Sequence, residues 1–396
     1  MMTATDRRVG VAIVGMGGAV ATTAVAGIEM LKAGSNRLDG LPLANLSVSG
    51  LADYRNLVFA GWDLNGDDLG AAAEGHGVLS KENLANGASA LRTMRPWPAV
   101  GSKAFCKNID GRNRLVAADH REAVAAIADD LRRFREEAGI DDLVVVNLAS
   151  TESWPDLDAP AMRSREAFEK ALDESDAAIS PAMLYAYAAI ASGIPYANFT
   201  PSVAADVPAL VEFARERKVP VAGKDGKTGQ TFLKTVLAPA LKARALHVDG
   251  WFSTNILGNR DGLALDDPDS LQSKLNTKGC VLEEMLGYPV EDHIVDIRYY
   301  RPRGDDKEAW DNIDVSGFLG QRMQIKVNFL CKDSILAAPL VIEIARVLDL
   351  ARKRGEGGVQ EQMSLFFKAP MVANGHGPEH AFHVQEAKLL DWLGVH

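Results

Sequence analysis

The sequence predicts an α/β fold, in which a doubly wound parallel sheet is followed by a region with a different strand pattern. Short apolar runs alternate with helical stretches as far as residue 231, and such alternation places helices on both faces of a parallel sheet. A glycine-rich turn joins the first apolar run to a helix. The length of 396 residues is sufficient for two domains.

The elements of the first region are predicted from hydrophobic periodicity. Val9–Val14 is a short β-branched run, and a helix rich in small residues extends from the glycine turn to about Lys32. Further strands are predicted at Leu46–Leu51, Leu143–Leu148, Pro195–Asn198 and Pro220–Ala222, and further helices at Arg121–Ala138 and Ala177–Ser192. This alternation indicates βαβ units.

The pattern changes after about residue 232. Alternating apolar and polar residues at His293–Tyr300 and Gln324–Leu330 predict an open sheet with one solvent-exposed face. A long amphipathic helix is predicted at Ser334–Lys353. We therefore expect a second region that differs from the parallel sheet in architecture.

Charge and cysteine content narrow the class of protein. The net charge is −10, which argues against nucleic acid or an anionic membrane as the main partner. The three cysteines, Cys106, Cys280 and Cys331, are far apart and predict neither a disulfide framework nor a metal cluster. The sequence shows no signal-peptide pattern and no apolar run of membrane-spanning length. We expect a cytoplasmic protein.

The turn Gly15-Met16-Gly17-Gly18 lies between the first strand and the first helix. Glycines let the backbone approach a pyrophosphate group, and the N-terminus of a helix supplies N–H groups and the positive end of its dipole. The third glycine of the usual fingerprint would fall at Val20, so an ordinary βα turn is the alternative. We predict dinucleotide binding, because the strand and the helix stand in the required order.

A dinucleotide site also needs an acidic residue for the ribose, which is expected about 20 residues after the glycine turn. Three candidates have suitable positions in the sequence, namely Asp39, Asp53 and Asp63. Asp53 follows the predicted strand Leu46–Leu51, whereas Asp63 ends the stretch FAGWD. Spacing leaves the choice open, and a surface carboxylate is the alternative for each.

A second candidate site is the stretch DGKTGQT, from Asp225 to Thr231, which opens a helix. Hydroxyl groups and a glycine at a helix N-terminus form an anion site, although a capped helix without a ligand has the same sequence. Lys227 within this stretch and Lys224 just before it favour phosphate binding.

Several lysines lie among polar residues in the second half of the chain. Lys274 and Lys278 are four residues apart and would share one helix face. Lys368 is surrounded by apolar residues in LFFKAP, and a lysine in an apolar setting has a lowered pKa that suits acid–base chemistry. His376, His380 and His383 have a spacing that could bind metal, but the Gly/Pro-rich context favours a loop and we predict no metal site there.

Taken together, these motifs resemble the myo-inositol-1-phosphate synthase family. The matching stretches occur in the family's order between about residues 180 and 370, and they are SPAMLYA, DGKTGQT, LGNRDG, SKLNTK, GDDK, CKDSILAAP and FKAP. The resemblance implies a Rossmann-type NAD-binding domain of residues 1–231, completed by 334–396. It further implies an inserted α+β catalytic and tetramerisation domain of residues 232–333.

The family resemblance also implies an activity and a set of site residues. Members convert D-glucose 6-phosphate to 1L-myo-inositol 1-phosphate, regenerate NAD in each cycle and form homotetramers. The implied cofactor-binding residues are Gly15, Met16, Gly17, Gly18, Ala19, Asp63, Thr151, Asp225, Asp305 and Ser334. The implied substrate-binding residues are Thr228, Gly229, Gln230, Thr231, Asn259, Lys274, Lys278, Lys307 and Lys368. The implied catalytic residues are Lys274, Lys278, Lys307, Lys368, Asp225 and Asp333.

The sequence departs from the family pattern in four respects. The chain is short, and Thr228 replaces the common serine. Ala19-Val20-Ala21 replaces the usual Asn-Asn-Gly after the glycine turn, and Arg260 stands where an asparagine is usual. Three alternatives therefore stay open: a two-domain NAD-dependent dehydrogenase, a related cyclase for another phosphorylated sugar, and an inactive NAD sensor. The sequence also leaves open whether a divalent or monovalent cation is required.

Overall fold

The computed structural model describes residues 7–35, 37–258, 281–373 and 375–395, which form two β-sheets with helices packed against them. The strands in chain order are β1 (Val9–Val14), β2 (Leu57–Asp63), β3 (Trp97–Pro98), β4 (Asp142–Asn147), β5 (Tyr196–Asn198), β6 (Pro220–Gly223), β7 (His247–Leu257), β8 (Asp292–Tyr299), β9 (Asp306–Ser316), β10 (Arg322–Lys332) and β11 (Gly358–Val359). The helices in chain order are α1 (Ala19–Lys32), α2 (Leu69–His76), α3 (Lys81–Thr93), α4 (His120–Glu137), α5 (Arg165–Asp173), α6 (Pro181–Ala191), α7 (Pro208–Glu216), α8 (Gly229–Ala243), α9 (Val281–Leu286), α10 (Asp333–Lys353) and α11 (Phe382–Leu393).

The first sheet is parallel, and its described strands have the order β11–β6–β5–β4–β1–β2–β3. The order runs one way from β1 to β3 and the other way from β4 to β6, so the winding reverses between β1 and β4. One face packs against α4–α7 and the other against α1 and α10. The central strand β1 is buried along its whole length, which explains its continuous apolar run. The predicted doubly wound α/β fold is confirmed.

The strand predicted at Leu46–Leu51 is wrong. This segment forms successive turns, in which the Leu46 N–H donates to the Leu43 carbonyl (3.2 Å) and the Leu51 N–H donates to the Val48 carbonyl (3.4 Å). Its apolar side chains pack against the cluster that includes α1 and α10, and the segment joins neither sheet. An irregular segment that packs against an apolar surface can have the same alternation of apolar residues as a strand, so the pattern was ambiguous. The strand that pairs with β1 is β2.

Helix α10 matches the predicted helix but is not amphipathic. Every residue of its central stretch, Val341–Ala351, is buried. The charged residues that gave the sequence an amphipathic pattern have buried partners from distant loops: Glu343 accepts from the Tyr54 hydroxyl (2.6 Å), and Asp349 accepts from Arg7 (2.8 Å). Paired charges of this kind are compatible with burial. The helix is therefore part of the core.

The second sheet contains four described strands in the order β10–β9–β7–β8. Strands β7 and β8 are parallel, whereas β9 is antiparallel to both β7 and β10. Trp251, Ile313 and Val315 lie on the face that packs against α8 and α9. The opposite face carries partly exposed residues, as the alternating burial of β9 shows, and this confirms the predicted solvent-exposed face. None of the described helices has the length and apolar composition that crossing a membrane requires.

Candidate functional site

A cavity of about 570 Å³ opens at the carboxyl ends of β1 and β4. Ligands of open α/β sheets bind at this point, where the winding reverses. The cavity walls come from the turn after β1, the loop after β4, the segment around Lys368 and the connection from β10 to α10. The two sheets therefore contribute to one site.

Most of the predicted site residues of the described chain line this cavity. They are Gly15, Gly18, Ala19, Asp63, Thr151, Asp225, Thr228, Asp305, Asp333, Ser334 and Lys368. Met16 instead buries its side chain in the core, and its N–H donates to the Trp62 carbonyl (3.0 Å). Asn259, Lys274 and Lys278 lie outside the described residues.

The glycine turn is shaped by backbone contacts. Gly15 has a φ of +88°, and a Cβ atom there would lie 2.9 Å from the Leu148 carbonyl oxygen, so a side chain is excluded. The Gly15 N–H donates to the Trp62 carbonyl (2.8 Å). Gly18 then caps α1 without a side-chain hydrogen bond, and both it and Ala19 face the cavity. The N-terminus of α1 consequently presents the N–H groups that a pyrophosphate requires.

The structure distinguishes among the three candidate acids. Asp63 ends β2 and lines the cavity, where its Oδ2 accepts from the Gly17 N–H (2.9 Å) and its Oδ1 from the Asn65 N–H (2.8 Å). Asp53 caps a short 3₁₀ turn, and Asp39 is an exposed partner of Arg37. Asp63 is therefore the candidate whose position suits the ribose.

Lys368 and Asp225 form a buried ion pair in the cavity wall. The Lys368 Nζ lies 2.6 Å from the Asp225 Oδ1, and the Lys368 N–H donates to the Asp225 carbonyl (2.7 Å). Asp225 has a φ of +58°, an uncommon backbone conformation outside glycine. Only 5% of Lys368 and 3% of Asp225 is exposed, so water screens this charge pair weakly.

A second set of charged groups comes from the second sheet. The Lys307 Nζ lies 3.3 Å from the Asp333 Oδ1, which also accepts from the Thr228 hydroxyl (3.0 Å). Asp305 accepts from the Ser334 hydroxyl (2.7 Å) and from the Ser334 N–H (3.2 Å). Two carboxylates thus fix a lysine and two hydroxyl groups where β10 passes into α10.

The DGKTGQT stretch forms the N-terminus of α8, with Thr228 as N-cap and without a side-chain cap. The Gln230 side chain does not face the large cavity. Its Nε2 donates to the Thr254 carbonyl (3.1 Å) and to the Trp310 carbonyl (3.3 Å), which attaches α8 to the second sheet. Gln230 and Thr231 line a much smaller cavity with Lys234. Phosphate binding at this helix would therefore use backbone N–H groups and the Thr228 hydroxyl.

Three buried titratable residues lie near the site. Glu152 and Lys234 were missed in the sequence, and Lys227 was named there as a residue that favours phosphate binding. Burial raises the pKa of Glu152, a cavity-lining residue that accepts from the Ala182 N–H (3.1 Å), to about 7. Burial lowers the pKa of Lys227, which contacts the Gln385 amide, to about 7. Lys234 lies 2.7 Å from the His293 Nε2, and burial lowers its pKa to about 8. Its position in the loop that follows β4 was the one signal for Glu152, and nothing local marked the lysines as buried.

We expect Lys227 to make stability rise with pH. Its folded pKa lies below the value of an unfolded lysine, so the unfolded chain binds more protons between the two values and the cost of burying the charge disappears as pH rises. From about pH 7 to about pH 9 this amounts to roughly 2 kcal/mol of unfolding free energy. Urea unfolding at both pH values should show that, as the pH rises, the unfolding free energy of Lys227→Met falls by this amount relative to that of wild type. Lys242→Met, at an exposed position of α8, should show no such change, and a constant difference for Lys227→Met would contradict the expectation.

No cluster of three or more His, Cys, Asp or Glu side chains suited to a metal ion occurs in the described ranges. The predicted histidine group is dispersed. His380 is buried 3.0 Å from Glu284, whereas His376 lies in an exposed segment beside Glu361. His383 is an exposed residue of α11.

A parallel doubly wound sheet with a glycine turn and an acidic residue at the end of β2 defines a Rossmann-type NAD-binding protein. The family model described as myo-inositol-1-phosphate synthase, an NAD-binding family, matches residues 41–394. The chain belongs to the myo-inositol-1-phosphate synthase family, as the sequence resemblance predicted.

Individual relatives agree with this assignment. The chain is 41% identical to inositol-3-phosphate synthase 1 of Bacteroides thetaiotaomicron, over 96% of this chain and 93% of the relative. It is 31% identical to the inositol-3-phosphate synthase of Spirodela polyrhiza, over 85% and 70% of the two chains. The crystal structure of the Caenorhabditis elegans inositol-3-phosphate synthase superposes with a TM-score of 0.92 at 25% identity, covering 98% of this chain and 85% of the other. A myo-inositol-1-phosphate synthase-related protein of Thermotoga maritima gives a TM-score of 0.81 at 26% identity, covering 98% and 99%.

Proposed function

We propose that this chain is an inositol-3-phosphate synthase, which converts D-glucose 6-phosphate to 1L-myo-inositol 1-phosphate with NAD regenerated in each cycle. One observation carries the proposal: two lysine–carboxylate pairs and the glycine turn lie at the same cavity. Lys368 with Asp225 and Lys307 with Asp333 come from different parts of the chain. The division into residues 1–231 with 334–396 and an inserted domain of 232–333 is part of the same proposal.

The proposed chemistry begins at C5 of the sugar. NAD, when bound, would supply the hydride acceptor for oxidation at C5 and the hydride donor for the reduction after ring closure. The proton of the C5 hydroxyl would pass to a basic side chain during the oxidation and return in the reduction. The C5 ketone makes a C6 proton acidic, and its loss gives an enolate that attacks the C1 aldehyde. The negative charge on oxygen in these steps is stabilised by fixed ammonium groups, for which we propose Lys368 and Lys307 together with Lys274 and Lys278. A buried lysine can also transfer the proton that leaves C6.

The substrate phosphate is assigned to the N-terminus of α8. The N–H groups of Gly229, Gln230 and Thr231 are the proposed donors, with Thr228 as a further phosphate contact, and Asn259 is proposed as a residue that binds the sugar. Gly229 begins the helix close to Lys307, because a Cβ atom on it would lie 3.9 Å from the Lys307 Nζ. A phosphate bound there would place the sugar between the two lysine–carboxylate groups.

We expect turnover without net NADH, because oxidation and reduction use the same bound cofactor. Purified protein given glucose 6-phosphate and NAD should form inositol phosphate, identified by NMR, while absorbance from NADH stays far below the amount of product. A two-domain dehydrogenase would accumulate NADH in proportion to product, which would overturn the proposal. Another cyclised product would indicate a cyclase for a different phosphorylated sugar, and no product would indicate an NAD-binding protein without this activity.

We propose a homotetramer that works in the cytoplasm. The support is an apolar stripe on the exposed face of the second sheet, formed by Phe252, Ile294, Trp310 and Leu330 on neighbouring strands. Phe252 and Trp310 stack there at 5.6 Å between ring centroids. Exposed apolar stripes of this kind mark interfaces. Light scattering at micromolar concentration should report four copies, and a stable monomer would contradict the proposal.

The cation requirement of the proposed activity is tested by direct assay. Activity after dialysis against a chelator, and in buffers that differ only in their monovalent cation, separates a divalent from a monovalent requirement.

A further inference from the structure

Gly17 is held by two side chains, one for each of its peptide groups. Its N–H donates to the Asp63 Oδ2 (2.9 Å), and its carbonyl oxygen lies 2.8 Å from the His76 Nε2. A carbonyl oxygen only accepts hydrogen bonds, so the Nε2 atom carries the proton and donates it. His76 belongs to the last turn of α2, which ends at Gly77 in the left-handed conformation, and it lines the same cavity as the glycine turn.

The second contact acts on the Gly17–Gly18 peptide group. The N–H of this peptide group donates to the Gly15 carbonyl (3.0 Å), and His76 adds a restraint at its carbonyl oxygen. Gly17 and Gly18 are consecutive glycines, and glycine adopts almost all backbone conformations at little cost. A rotated peptide between them would direct its carbonyl oxygen toward the space in front of α1, where the pyrophosphate of a dinucleotide binds. The His76 hydrogen bond opposes this rotation.

The first turn of α1 offers no polar side chain that could replace this restraint. Its residues are Ala19, Val20 and Ala21. The hydroxyl groups of the next turn donate back to the helix backbone, from Thr22 to the Gly18 carbonyl (2.9 Å) and from Thr23 to the Ala19 carbonyl (2.7 Å). At this turn, pyrophosphate binding therefore depends on the orientation of backbone N–H groups.

We infer that His76 is a positioning residue for the pyrophosphate group of NAD, which it serves by locking the Gly17–Gly18 peptide. The inference rests on NAD binding and not on the identity of the product. A residue with this role sets the affinity for any ligand that carries a diphosphate, and it does not take part in the chemistry at the sugar.

Calorimetric titration of His76→Leu with NAD, ADP and adenosine tests this role. We expect Kd for NAD and for ADP to rise about tenfold, as the loss of one hydrogen bond of roughly 1.4 kcal/mol predicts, while Kd for adenosine stays within about twofold. The KM for NAD should rise, whereas kcat at saturating NAD should stay within about twofold. Equal weakening of adenosine, or unchanged binding of NAD and ADP, would overturn the inference.

Two amide variants separate the hydrogen bond from general packing. The amide nitrogen of Gln can occupy the place of the His76 Nε2, so His76→Gln should restore the affinity for ADP, whereas the shorter His76→Asn should not. If both folded variants lost the same affinity for ADP, the inference would be overturned. His383→Leu, at an exposed position of α11 away from the cavity, is the control and should bind like wild type. Product formation by wild-type protein is measured separately, so failure of the proposed activity and failure of this inference give different results.

Discussion

Replacement of Lys368 by Met is expected to reduce turnover by at least about a hundredfold, because one fixed charge at a developing oxyanion is commonly worth 10²–10³ in rate. Lys368 is buried in the cavity wall and paired with Asp225 at 2.6 Å, so its ammonium group is preorganised. Lys368→Arg should not restore turnover, because guanidinium differs in shape and does not release its proton. The rate of inositol phosphate formation at saturating substrates measures both variants.

The structural cost of removing Lys368 has to be separated from the catalytic cost. The single variant removes the Lys368 ammonium group from the buried Asp225 carboxylate, and breaking a buried pair costs roughly 3–5 kcal/mol. The double variant Asp225→Asn/Lys368→Met removes both charges and should recover most of the thermal stability. Recovery of stability without recovery of turnover is the expected result, and near-normal turnover of a folded variant would remove Lys368 from the mechanism. Lys388→Met, at an exposed position of α11, is the matched control.

Replacement of Gly61 by Ala is expected to lower the free energy of unfolding by at least about 3 kcal/mol, because backbone has to move to admit the methyl group. A Cβ atom on Gly61 would lie 2.0 Å from the Ile13 carbonyl oxygen, within the pairing of β1 with β2. The neighbouring Trp62 carbonyl accepts from Gly15, so the distortion should also weaken NAD binding.

Urea unfolding and NAD titration measure these two effects of Gly61→Ala. Gly27→Ala is the control, because Gly27 is exposed in α1 and a Cβ atom on it would meet nothing within 4 Å. Alanine in an exposed helix position stabilises by up to about 1 kcal/mol, so the two substitutions should have opposite signs. A loss below about 1 kcal/mol for Gly61→Ala would show that β1 and β2 separate easily.

The parts of the fold that were predictable are those set by neighbours in sequence. The run Val9–Val14, the glycines after it and the small residues as far as Lys32 specify a strand, a turn and a helix within one contiguous stretch. The error at Leu46–Leu51 arose because its apolar side chains pack against a cluster that includes α10, almost three hundred residues away in the chain. The amphipathic interpretation of α10 failed for the same reason. Arg7 pairs with Asp349, and the Tyr54 hydroxyl donates to Glu343, from distant parts of the chain.

The candidate site shows the same limit. The choice of Asp63 over Asp39 and Asp53 depends on which segment pairs with β1, and spacing could not supply that. The contact between Lys368 and Asp225 spans 143 positions, so only the family resemblance placed the two residues in one site. Gln230 belongs to the predicted motif, yet its amide faces the second sheet, because a motif does not specify the direction of a side chain.

The chain enters the second sheet layer at α8 and leaves it where β10 continues into α10. Thr228, at the entry, donates its hydroxyl to Asp333, at the exit, over 3.0 Å. Both covalent connections and the bond between them therefore lie at one point beside the cavity. If the second layer rotates as a body against the first, the axis passes close to this point. The displacement of an atom grows with its distance from the axis. Lys307 and Asp333 would therefore keep their distances from the cavity residues of the first layer, while the far end of the second sheet would move furthest.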